Sequence, residues 1–201
     1  MTQFEFFMTF YGLLLGLAVA ELLLGFGNIL RHRARPKLGL LTPLLGLLVF
    51  IMLMSTFMDA WGRLQDVRIT MDSLALPTAI GVLMFFVAII VVPRQPDEWT
   101  DLDEYFFANR RWSLGLILVV DVLIYIYEAP FVGILIERQL WDRFIPYLVV
   151  NAALIGLTVV ALFARPRRIV AAALAALMLI LAWLYSDLGM PIFAGLPEVT
   201  R

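Results

Sequence analysis

Residues 6–30 read "FFMTFYGLLLGLAVAELLLGFGNIL", an apolar run holding one carboxylate, Glu21, and no cation. A helix rises about 1.5 Å per residue, so about 20 such residues cross the ~30 Å hydrocarbon layer of a bilayer. In lipid every backbone amide must find a partner within the protein, and a continuous apolar run of this length meets that need as a helix. The same reading applies to Leu38–Trp61, Leu74–Val92, Trp112–Ile136, Phe144–Phe163 and Ile169–Tyr185. The expected fold is therefore all-α: a polytopic bundle of six transmembrane helices, forming a single transmembrane domain over residues 1–201.

Composition agrees. Of 201 residues, 63% are hydrophobic and 15% charged, against about half and a quarter in a soluble domain. The mean hydropathy is +0.94. The absence of cysteine excludes disulfides, thiolate metal sites, iron–sulfur clusters and cysteine nucleophiles. The single histidine, His32, lies in a basic loop, so the chain cannot itself supply a histidine pair to a haem. No cofactor is implied, the identity of any metal is left unknown, and a net charge of −1 argues against a nucleic-acid partner.

The breaks between spans set the orientation. Residues 31–37, "RHRARPK", end the first span; Pro93 and Pro96 stop the third; residues 165–168, "RPRR", separate the fifth from the sixth. The leader "MTQFE" has no basic residue and the basic cluster follows the apolar run, so the first span reads as an anchor and not as a cleaved signal. Lys and Arg residues are retained on the cytoplasmic side. That places the basic loops inside and both termini outside. Arg31, Arg33, Arg35, Lys37, Arg94, Arg110, Arg111, Arg165, Arg167 and Arg168 then lie inside, and Arg63, Arg68, Arg138, Arg143 and Arg201 outside.

The sizeable inner loop, residues 94–111, reads "RQPDEWTDLDEYFFANRR". Asp101 with Glu104 three residues on has the spacing of a capping box, predicting a helix start near Leu102. The segment 97–111 would then lie at the interface as a short interfacial helix running into the fourth span, with Trp99, Leu102 and Phe106 sharing a face. It reads as a membrane anchor or as a docking edge for a partner. The aromatic run and Arg-Arg-Trp of "DEYFFANRRWSLGL" (103–116), taken with "GLAVAELLLGFGN" (16–28), resemble a family of uncharacterised bacterial six-helix inner-membrane proteins. The resemblance implies a six-span layout and a bacterial inner membrane. It implies no activity and no site residue.

Function has to be sought in the polar groups within the spans. Glu21 and Asp121 are expected at nearly the same depth, roughly 4–5 Å to the cytoplasmic side of centre, and Glu128 roughly 6 Å outward. Asn151 falls at a similar outward depth. Asp121, Tyr125 and Glu128 share a stripe of the fourth span, and Glu21, Gly25 and Asn28 share a face of the first. Gly12, Gly16, Ala20 and Gly27 lie on another face of the first span that would allow close helix approach, which predicts a central first span. No span interior carries Lys or Arg. A buried acid without a cationic partner is protonated, hydrated, or bound to a cation. Asp59, four residues before Arg63, is expected in an interfacial ion pair with it; Asp187 is expected to mark the last span's exit; Pro130 follows Glu128 as a possible kink.

Two readings follow for Glu21, Asp121, Tyr125, Glu128 and Asn151. They are structural hydrogen-bonding groups, or they form a proton or small-cation pathway in a conduit or transporter. The second class of function is a non-catalytic accessory or scaffold subunit of a membrane complex, with the lipid bilayer, further copies of itself or other membrane subunits as partners. A third, an intramembrane aspartyl enzyme built on Glu21 and Asp121, lacks the Gly-x-Gly-Asp and Tyr-Asp signatures, so no catalytic residue is assigned.

Overall fold

A computed structural model describes residues 2–31, 36–65 and 70–186, with the Arg63 side chain outside the description. Among these residues the chain is all-helical: α1 (Gln3–Arg31), α2 (Leu41–Arg63), α3 (Met71–Val91), α4 (Leu102–Glu137), α5 (Trp141–Phe163) and α6 (Arg167–Leu184), with a 3-10 turn at Pro96–Glu98. All six are long and apolar enough to cross a membrane. Residues 32–35 of the basic loop, His32 among them, and also Arg68, Asp187 and Arg201, lie outside the described residues.

Local signals explain the starts. Thr70 and Ser73 form a reciprocal capping box at α3. Asp101 caps α4 by accepting from the Asp103 amide at 2.9 Å. Glu104 does not complete a box there; it accepts from the Thr100 hydroxyl at 3.1 Å. The helix does start at Leu102 as its sequence predicts, but residues 102–111 are not a separate interfacial helix. They are the first turns of the 36-residue α4, which at about 1.5 Å per residue is longer than the hydrocarbon layer. Leu102 and Phe106 are buried, so these turns belong to the bundle. The helix continues through Pro130.

The helices pack in a closed circuit: α1 on α3, α3 on α4, α4 on α5, α5 on α6, α6 on α2 and α2 on α1. The α2 helix also touches α3 and, more lightly, α4. It is thus the central helix, with half of its spanning stretch buried against 22% for α1. This corrects the expectation of a central first span. Phe7, Tyr11, Leu15, Ala18, Leu22 and Ile29 of α1 are buried at spacings that keep to one side of a helix, whereas Gly16 and Ala20 are exposed.

Close approach occurs at other glycines. A Cβ on Gly25 would lie 2.8 Å from the Val92 side chain, one on Gly46 2.5 Å from the Phe26 ring, and one on Gly81 2.8 Å from Leu14. Gly12 has only an ordinary contact with Phe57 at 3.6 Å, and Gly16 and Gly27 have nothing within 4 Å.

The end where α1, α3 and α5 finish, the basic end, is laced by polar contacts. The Leu40 and Leu41 amides at the start of α2 donate to Asp103 Oδ1 at 2.9 and 2.8 Å. Arg167 approaches Asp101 at 3.4 Å and Asp103 at 3.6 Å. The Tyr105 hydroxyl donates to the Ile90 carbonyl at 2.7 Å, and Arg110 donates to the Ala164 carbonyl at 2.5 Å. Toward the opposite end, among the described residues, α2, α4, α5 and α6 enclose a cavity.

Candidate functional site

Four helices, α2, α4, α5 and α6, surround a cavity of about 680 Å³ that runs from mid-bundle toward the end opposite the basic loops. Its wall is largely aliphatic, with Met52, Ile117, Ile124, Leu154, Ile155 and Leu181 contributing. Set into it are three carboxylates: Asp59 from α2 and Asp121 and Glu128 from α4. Among the described side chains no Lys, Arg or His lines it.

The α4 stripe is legible in the sequence and forms one wall. Asp121, Tyr125 and Glu128 recur at spacings of four and three, and all three line the cavity. Asp121 makes no hydrogen bond or ion pair with another described residue. Glu128 is 7% exposed, and the Tyr147 hydroxyl of α5 donates to its Oε2 at 2.5 Å. Phe131 holds the Tyr147 ring edge-on, with centroids 6.0 Å apart. Asn151, one turn beyond Tyr147, lines the same cavity and donates to the Tyr147 carbonyl at 2.8 Å.

Asp59 belongs to this site and was not expected there. The Tyr185 hydroxyl, just past α6, donates to Asp59 Oδ2 at 2.5 Å. Its expected partner Arg63 has a side chain outside the described residues. Hydroxyls of Ser55, Thr56 and Thr158 line the cavity but donate to carbonyls of their own helices at 2.7–2.9 Å. Their oxygens are left as acceptors. A second, smaller void of about 30 Å³ adjoins this wall. It is shared by Asp59, Glu128, Thr56 and Tyr127 with Tyr11 of α1.

Glu21 lines neither void. Arg94 Nη2 stands 4.0 Å from its Oε1, and the Glu21 side chain is 35% exposed. The Asn28 amide donates to the Arg94 carbonyl at 3.2 Å. The physical reason is the unequal length of the helices: α3 ends beside Gly25, short of the end of α1 at Arg31, so the following loop carries Arg94 down alongside α1. The matched depth with Asp121 therefore does not become a contact. Glu21 is on α1, which packs on α3 and α2, while Asp121 faces the ring on the other side of α2.

Sequence reasoning missed Asp59, Tyr147 and Tyr185. A signal existed for Tyr147, because Tyr147, Asn151, Leu154 and Thr158 keep to one helix face and all line the cavity. For Asp59 the nearer signal, Arg63 one turn on, pointed elsewhere. Tyr185 has no local signal; only the packing of α6 on α2 brings it to Asp59. Among the described residues no group of three or more His, Cys, Asp or Glu is arranged to hold a metal ion.

No family model matches the chain, and no curated protein or solved structure is significantly similar to it.

Proposed function

We propose that this multi-pass membrane protein is a small transporter or conduit for positive charge, protons or a small cation, working through the cavity between α2, α4, α5 and α6. The observation that carries the reading is the lining: Asp59, Asp121 and Glu128 share one cavity inside a six-helix bundle, with no described cationic side chain on its wall. Ionisable groups at membrane depth mark proton and ion routes. Two of the acids, Asp59 and Glu128, also face the small void next to Tyr11 and Tyr127, which extends the chain of exchangeable protons toward α1. With the basic end in the cytoplasm of a bacterial inner membrane, the cavity would face outward, and Asp121 would be its innermost acid.

The test is proton and alkali-cation flux into liposomes carrying the purified protein. Asp121→Asn is expected to cut the flux at least tenfold and Glu128→Gln to cut it severalfold. Glu137→Gln, at the end of α4 and off the cavity, is expected to leave it unchanged. Equal silence, or an equal leak, in wild type and all variants overturns the proposal.

The accessory-subunit reading rests on a different observation, the exposed small residues Gly16 and Ala20 on the outer side of α1. They would accept a second copy or another membrane subunit at close range.

A further inference from the structure

We infer that the cavity binds a hydrophobic organic monocation, its charge set against Asp121 and its body against the aliphatic and tyrosine wall; this deepens the transport reading and rests on it. The volume, about 680 Å³, is that of a small-molecule site, which typically encloses ~300–1,000 Å³. A dehydrated metal ion needs roughly six or more oxygens converging at about 2–2.6 Å. The acids do not converge in that way: no metal-holding group of three exists among the described residues. Asp59 accepts from Tyr185 and Glu128 from Tyr147, each toward a different helix.

Asp121 differs from the other two, since both its oxygens are uncommitted among the described residues. One turn further along α4, Tyr125 lines the same space, and aromatic faces attract cations through the ring quadrupole. The wall also discriminates by sign. The Tyr147 and Tyr185 hydroxyls donate to carboxylates, and those of Ser55, Thr56 and Thr158 to their own helices. What remains for a ligand is mainly acceptor oxygens, aromatic faces and aliphatic surface. An anion of the same shape finds no described cation on that wall.

The experiment uses the full chain in nanodiscs and tetraphenylphosphonium as the probe, measured by equilibrium dialysis against empty nanodiscs. Saturable binding is expected, weakened at least tenfold in Asp121→Asn, retained within threefold in Asp121→Glu, and unchanged in Glu137→Gln. Leu154→Trp, which fills the cavity from α5, is expected to abolish it independently of any charge. Tetraphenylborate, of like shape and opposite charge, is expected to show no saturable binding. The inference is overturned if the cation binds no more than to empty nanodiscs, if borate and phosphonium bind alike, or if Asp121→Asn binds as wild type does. Asp121-dependent proton flux without phosphonium binding overturns this inference and keeps the conduit. Saturable, Asp121-dependent binding without flux of any ion keeps the site and overturns the conduit.

Discussion

Glu128 is buried, and one of its oxygens takes the Tyr147 hydroxyl at 2.5 Å while the Phe131 ring braces the tyrosine. Interhelical hydrogen bonds in bilayers contribute roughly 0.6–2 kcal/mol. Tyr147→Phe keeps the ring and removes only the donor, so stability should fall by about that amount, read as a lower midpoint of thermal unfolding in detergent. Glu21 leads to a different expectation. Its partner is Arg94 at 4.0 Å, with the arginine largely exposed, and exposed pairs are worth about 0–1 kcal/mol. Glu21→Gln should therefore leave both unfolding midpoint and ion flux close to wild type. A tenfold loss of flux in that variant would return Glu21 to the pathway. The α4 stripe could be read from spacing alone because Asp121, Tyr125 and Glu128 belong to one helix. The partner of Glu21 could not, because Arg94 reaches it only through the early end of α3.

At the scale of the element, the start of α2 shows how a helix can borrow its cap. Leu40, at the cap position, supplies no side-chain acceptor. Asp103, first turn of α4, takes the Leu40 and Leu41 amides instead, and is itself approached by Arg167 of α6. Losing a capping acceptor typically costs ~0.5–2 kcal/mol. Asp103→Ala should lower stability by about that amount and Asp103→Asn by less, because the amide oxygen can still accept. Gly39 sits beside this carboxylate with φ +59°, and a Cβ there would collide with Asp103 Oδ1. Gly39→Ala combines that collision with a left-handed backbone that costs other residues about 1–2 kcal/mol. It should destabilise more than Asp103→Asn does, in the same unfolding assay. The α4 start was legible from Asp101 and the residues after it. The α2 cap was not, since its acceptor lies in another helix more than sixty residues away.

The two ends of the described bundle differ. At one end, loops and helix starts are joined by Asp101, Asp103, Arg110 and Arg167; at the other, four helices part around the acid-lined cavity. The absence of cysteine makes the orientation directly measurable. Arg111→Cys at the basic end should react with a membrane-impermeant maleimide only in inside-out vesicles, and Trp141→Cys at the opposite end only in right-side-out ones. The reverse pattern would invert the topology, and with it the side on which the cavity opens.

Six apolar runs, their separation by basic and proline-containing breaks, and the helical face holding Asp121, Tyr125 and Glu128 were determined by the sequence alone. Hydrophobic length and helical periodicity are local properties, fixed by the backbone's need for internal hydrogen bonds in lipid. Which helices become neighbours was decided only by the tertiary structure. Lipid is as apolar as the helix faces, so association depends on how side chains fit and where glycines admit a neighbour. That fit placed α2 at the centre, sent Glu21 to Arg94, and gathered Asp59, Tyr147 and Tyr185 around the cavity with Asp121.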